Sequence, residues 1–151
     1  MTKMLVFDMD GTIADLYGVD GWLEMLEAED PAPYEIAAPL YDMAELCELL
    51  NELRAANWTI AVTSWLAKDS SAPYKKAVRR AKAEWLARHN FPADEVHFVA
   101  YGTTKANCTR LKADFQILVD DNEWVRDGWH LGATIDANNN IIPQLRALLG
   151  A

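Results

Sequence analysis

Short apolar runs alternate with longer stretches of helical spacing along this chain. Met4-Leu5-Val6-Phe7 is a compact apolar run bounded downstream by Gly11, which predicts a buried strand of a parallel sheet. Between Asp15 and Glu29, Trp22, Leu23 and Leu26 supply one apolar face and predict a helix. Asp30-Pro31-Ala32-Pro33 and then Pro39 predict breaks. Residues 41–56 predict a strong helix, with Met43, Leu46, Cys47, Leu50 and Leu53 in step and Asn57 ending it. Thr59-Ile60-Ala61-Val62 predicts a second strand, running into Thr63-Ser64. Pro73 opens a long helix to about His89, whose apolar stripe is Ala77, Val78, Ala81, Trp85 and Leu86. Val96 to Ala100 is a third strand, and Thr104 is placed to cap a short helix from Lys105 to about Lys112. Phe115 to Val119 is a fourth strand, Ala133-Thr134-Ile135 a fifth, and 141–149 a closing helix.

Strands that alternate with helices from end to end imply a parallel sheet with helices on both faces. The expected architecture is α/β, a three-layer Rossmann-like sheet of about five strands. One domain over 1–151 is expected, with a small helical cap insert at about 15–40. In such sheets a ligand sits outside the carboxyl ends of the strands.

Composition narrows the function classes. A net charge of -9 argues against general binding to nucleic acid or to anionic membranes. No apolar run approaches a membrane span, and no leader-like pattern opens the chain. Cys47 and Cys108 lack metal-ligand spacing and read as reduced thiols of a cytoplasmic protein. The charge is uneven. Residues 15–55 hold 11 acids and one base, whereas 75–88 hold six bases and one acid. The basic helix reads first as a solvated face, or one paired with the acidic segment. It would otherwise steer anionic substrates.

Polar residues gather at the predicted strand ends. The first strand ends in Asp8 and Asp10, which share a face and repel unless a divalent cation lies between them. The second ends in Thr63 and Ser64, the third leads to Lys105, and the fourth ends in Asp120 and Asp121. Each is ordinary alone, as a cap, a solvated lysine or an acidic turn. Together they suit phosphoryl transfer. Mg²⁺ on the oxygens of Asp8, Asp10, Asp120 and Asp121 would neutralise a phosphate dianion. Lys105 would add a positive charge, and Thr63, Ser64 and backbone N–H groups would bind phosphate oxygens. Asp10 could protonate the leaving alkoxide and then activate water.

Asp8-Met9-Asp10-Gly11-Thr12 resembles the first motif of the haloacid dehalogenase (HAD) superfamily. Thr63, Lys105 and the pair Asp120-Asp121 are similar to its second, third and fourth motifs, with Lys112 the competing choice for the third. The resemblance implies a HAD-like fold, Asp8 as nucleophile, Asp10 as acid/base and a Mg²⁺-dependent phosphatase. A narrower resemblance, to the 5'(3')-deoxyribonucleotidases, rests on Asp8-Met9-Asp10-Gly11, Ala14-Asp15, Thr63-Ser64 and Lys82-x-x-Trp85. It implies a nucleotide substrate, and Trp65 and Tyr17 could stack on a base. Sugar phosphates, phosphorylated nucleic-acid ends, a phosphotransferase or a non-catalytic binding module are the alternatives. An insert this short leaves the site open to a bulky substrate, or leaves it to be closed by a second copy of the chain.

Overall fold

The computed structural model describes residues 1–150. Its centre is a five-stranded sheet in which every neighbouring pair is parallel. The strands are β1 (Lys3–Phe7), β4 (Trp58–Trp65), β5 (Glu95–Val99), β6 (Phe115–Asp120) and β7 (Gly132–Asp136). Their spatial order is β5-β4-β1-β6-β7. Strand β1 therefore lies between β4 and β6, with Phe7 level with Val62 on one side and Val119 on the other. The chain runs on from β1 to β4 on one side and from its other neighbour β6 to β7 on the opposite side, so the crevice at the carboxyl ends of β1 and β6 is the expected ligand position. All five predicted strands form, four within one residue of their predicted ends and β4 running on through Thr63 and Ser64 to Trp65.

Alternation along β1 separates two cores. Leu5 and Phe7 join the larger one, with Leu46, Leu49, Leu50 and Leu53 of α3 (Met43–Ala55), Trp85 and Leu86 of α4 (Ala72–Arg88), and Ile141 and Leu145 of α6 (Ile141–Ala147). Burial of each such leucine contributes about 1.5–3 kcal/mol. Met4 and Val6 face a thinner layer with Leu118, Ala113, Val125 and Trp129. That layer includes only the short α5 (Glu123–Asp127). Asp42 caps α3 by accepting from the N–H groups of Ala44 and Glu45, and Asn57 beyond its end takes a left-handed φ of 72°.

The insert differs in detail from its sequence pattern. Helix α1 covers only Trp22–Glu27, because the Asp15 side chain accepts from Gly18 N–H and closes a separate turn over Leu16–Gly18. The second proline of the predicted break lies inside α2 (Ala32–Ile36), where a first-turn proline lacks only an N–H with no helical partner. Strands β2 (Ala14–Asp15) and β3 (Ala38–Pro39) pair antiparallel and close the insert at its base. The insert is bound along α4. Glu29 accepts from the Ser71 N–H and hydroxyl at 2.8 and 2.7 Å, Trp85 Nε1 donates to Ala37 O at 2.8 Å, and Arg88 donates to Glu35 O at 2.6 Å. Leu16 and Tyr34 pack on Tyr74, Val78 and Ala81 of the same helix.

The helix expected from Lys105 to Lys112 is a single turn, Lys105–Asn107, and Thr104 makes no capping bond. The reason lies outside the segment. The Glu95 carboxylate accepts from the N–H groups of Arg110 and Leu111 at 2.6 and 3.0 Å, which takes from a helix the donors it would need. Cys108 is consequently not helical, whereas Cys47 lies in α3. No helix among the described residues is long and apolar enough to cross a membrane.

Candidate active site

A cleft of about 280 Å³ opens at the carboxyl end of β1. Asp8, Asp10, Ser64, Lys105, Asp120 and Asp121 line its floor, and Tyr17, Trp22, Tyr34, Trp65 and Tyr101 line its walls. Asp8 follows β1 directly, and its N–H still donates to Val119 O at 3.0 Å. The chain then turns sharply, with the Met9 carbonyl accepting from the N–H groups of Thr12, Ile13 and Ala14. Gly11 makes this turn with φ +80°, and a Cβ there would run into the Asp121 carboxylate and the Tyr17 ring.

Carboxylate oxygens of Asp8, Asp120 and Asp121 lie within 4.8 Å of one another. Lys105 bridges two of the three, donating to Asp8 Oδ1 at 3.0 Å and Asp120 Oδ2 at 2.8 Å. Thr12 donates to Asp8 Oδ2 at 3.1 Å, and Asn122 N–H to Asp120 Oδ1 at 3.0 Å. Burial would by itself lower the Lys105 pKa, but the two carboxylates outweigh it and hold the ammonium above its ordinary value. Asp120 is raised, first by burial and then by the charge of Asp8. Asp121 is pushed up to about 8 by burial, with the charge of Asp8 next. One lysine among three carboxylates leaves a net negative charge. A hard divalent cation on the oxygens of Asp8, Asp120 and Asp121 fits that donor set.

Asp10 occupies a different corner. Its Oδ2 accepts from Lys82 Nζ at 3.0 Å, and it does not belong to the oxygen trio. Lys82 also donates to Ser64 Oγ and to the Trp65 carbonyl, each at 2.8 Å. The Asp10 pKa is raised, chiefly by burial, with Lys82 opposing. Of the two hydroxyl residues, only Ser64 lines the cleft. Thr63 is fully buried, and its Oγ1 has no hydrogen-bond partner.

Lys82 entered the sequence reading only through Lys82-x-x-Trp85 of the narrower resemblance and was given no place in the site. Five of the six bases of 75–88 lie outside the buried face of α4, but Lys82 is 1% exposed and belongs to the apolar side. None of the solvent-facing five makes a side-chain ion pair with an acid of 15–55. Arg80 pairs with Glu84 of its own helix. The signal was in the spacing, because Lys82 falls in step with Val78, Ala81 and Trp85.

No family model matches the chain, and no curated protein matches it. Solved structures do. A D,D-heptose 1,7-bisphosphate phosphatase from Burkholderia thailandensis superposes with a TM-score of 0.50 at 16% identity, over 83% of this chain and 70% of that one. The chain has the Rossmann-like core of the HAD-like fold. A D,D-heptose 1,7-bisphosphate phosphatase from B. bronchiseptica, complexed with magnesium and phosphate, matches at a TM-score of 0.44 and 13% identity, over 80% of this chain and 71% of that one. The first of these is named a sugar bisphosphate phosphatase, and the narrower resemblance draws no support from it.

Proposed function

We propose that this protein is a Mg²⁺-dependent phosphatase that hydrolyses small phosphomonoesters through an aspartyl-phosphate at Asp8. The observation that carries the reading is the trio Asp8, Asp120 and Asp121 with Lys105 bridging Asp8 and Asp120. Asp8, Asp120 and Asp121 would hold the cation, which when bound neutralises charge on the phosphate dianion.

The protein's own groups then have defined tasks. Lys105 orients Asp8 through one oxygen and adds positive charge beside the transferring phosphoryl group. The Ser64 hydroxyl, whose oxygen accepts from Lys82, keeps its proton for a phosphate oxygen. The Asp8 carboxylate attacks phosphorus, the bond from phosphorus to the ester oxygen breaks, and Asp10 gives its proton to that leaving oxygen. Water then attacks phosphorus, Asp10 takes its proton, and the bond to Asp8 breaks to release phosphate. Burial keeps Asp10 raised, as its first task requires.

Sugar phosphates stand first as substrates, since the neighbour of similar fold is named for a sugar bisphosphate. A nucleotide, as in the deoxyribonucleotidases, is the second reading. It is favoured by the aromatic walls, where Trp65 and Tyr101 lie 5.0 Å apart at the mouth. A panel of sugar phosphates, deoxynucleoside monophosphates and inert esters, assayed with Mg²⁺ for wild type and Asp8→Asn, tests both. The expected result is phosphate release by wild type only. Release by neither protein, or equal release by both, defeats the proposal.

A further inference from the structure

Two lysines are buried among the described residues, Lys82 and Lys105, and the reaction above gives a task only to Lys105. Lys82 lies in the middle of α4, and its Nζ spends its donors on Asp10, Ser64 and the Trp65 carbonyl. The Tyr34 ring of the insert covers it at 5.1 Å. It does not line the cleft, although Asp10 and Ser64 do. A methionine or leucine here would pack on Val78, Ala81 and Trp85 without a buried charge to desolvate. The cost of the lysine calls for a reason other than stability. Its contacts supply one. They tie Asp10, which lies on the loop after β1, to Ser64 and the backbone at the end of β4. The second Asp10 oxygen makes no side-chain hydrogen bond among the described residues.

We propose that Lys82 is a positioning residue for Asp10, holding one carboxylate oxygen against α4 so that the other stays presented to the leaving oxygen of the ester. The inference rests on the phosphatase reading. Lys82 touches no substrate, so its effect passes through Asp10. A lost Asp10 geometry matters most where the leaving group needs a proton. An alkoxide needs it, and a nitrophenolate leaves without it.

The test compares glycerol phosphate with p-nitrophenyl phosphate in wild type, Lys82→Met, Asp10→Asn and the double variant, with Mg²⁺ binding followed by calorimetry. For Lys82→Met, kcat/KM, which stops at formation of the aspartyl-phosphate and so excludes the hydrolysis step both esters share, is expected to fall about 10²-fold on glycerol phosphate and only about threefold on p-nitrophenyl phosphate. Mg²⁺ affinity should hold, because Lys82 touches none of the trio. In the Asp10→Asn background the lysine change should cost nothing further. If Lys82→Met does not fold, Lys82→Gln, which keeps an amide donor and loses the charge, carries the same comparison. Equal losses of kcat/KM on both esters, or a full additional loss in the double variant, overturn the inference. A wild type inert on both esters overturns the phosphatase reading beneath it. An active wild type with uniform losses overturns the Lys82 role alone.

Discussion

Two buried lysines each bond acids that line the same cleft, and their surroundings differ. Lys105 sits between two carboxylates, Asp8 and Asp120, with a third, Asp121, nearby. Lys82 meets one carboxylate, one hydroxyl and one carbonyl. The first cluster has more negative charge than its lysine can balance, and so suits a cation. The second has one ammonium for a single carboxyl group, and suits the fixing of a side chain. One half of the site is built to collect charge and the other to hold a proton donor in place.

The comparison can be broken most sharply at Lys105. Lys105→Met leaves Asp8 and Asp120 buried without their shared counter-ion. The expected cost is about 3–5 kcal/mol of stability in metal-free protein, read by denaturant titration. Saturating Mg²⁺ should recover much of it. Activity should fall about 10²–10³-fold even in folded protein. A variant as stable and as active as wild type would remove the distinction between the clusters.

Metal-free stability should also depend on pH through the first cluster. Asp121 is pushed up to about 8 in the folded chain, so there it holds a proton that the unfolded chain has released. The folded state binds more protons between the two values, so stability falls as pH rises through that window. Between about pH 7 and about pH 8.5 the melting temperature of metal-free protein should therefore decline with rising pH. Asp121→Asn should flatten this trend, and Mg²⁺, which needs the ionised acid, should stabilise most at the high end. A rising trend in metal-free wild type would contradict the charge-collecting role. His89, lowered by burial and then by Arg88, acts in the opposite direction only at lower pH.

The smallest expected effect concerns the insert above the second cluster. Trp85→Phe removes the Nε1 bond to Ala37 O while keeping most of the packing. It should cost about 1 kcal/mol, read by denaturant titration, and leave the two esters equally affected. A preferential loss on alkyl esters would extend the positioning role from Lys82 to the insert.

The two halves were not equally legible in the sequence. Apolar runs of β1, β4 and β6 carry the period of buried strands, and the acids that end β1 and β6 stand out because an aspartate there is costly without a partner. That pattern predicted the sheet, and it listed Asp8, Lys105, Asp120 and Asp121 together. Lys82 was named only in Lys82-x-x-Trp85 of the narrower resemblance, and its neighbours hid its place in the site. Lys75, Lys76, Arg79 and Arg80 made it look like one more solvated base, although its place in the Val78-Ala81-Trp85 stripe marked it as buried. Strand parity separates Thr63 from Ser64, and the residues alone did not say which hydroxyl would reach the cleft. The turn at Lys105–Asn107 was set by Glu95, ten residues earlier on a neighbouring strand, which no local pattern contains.

The central claim is that Asp8 carries the phosphoryl group. Rapid mixing with Mg²⁺ and a turned-over phosphomonoester, followed by borohydride, reduces an aspartyl-phosphate to homoserine that mass spectrometry can locate. The account predicts homoserine at position 8, dependent on both substrate and Mg²⁺ and, with p-nitrophenyl phosphate, whose leaving group needs no proton, enriched in Asp10→Asn, where hydrolysis of the intermediate slows. Turnover with no reduced residue at position 8, or with the label at another carboxylate, would contradict it.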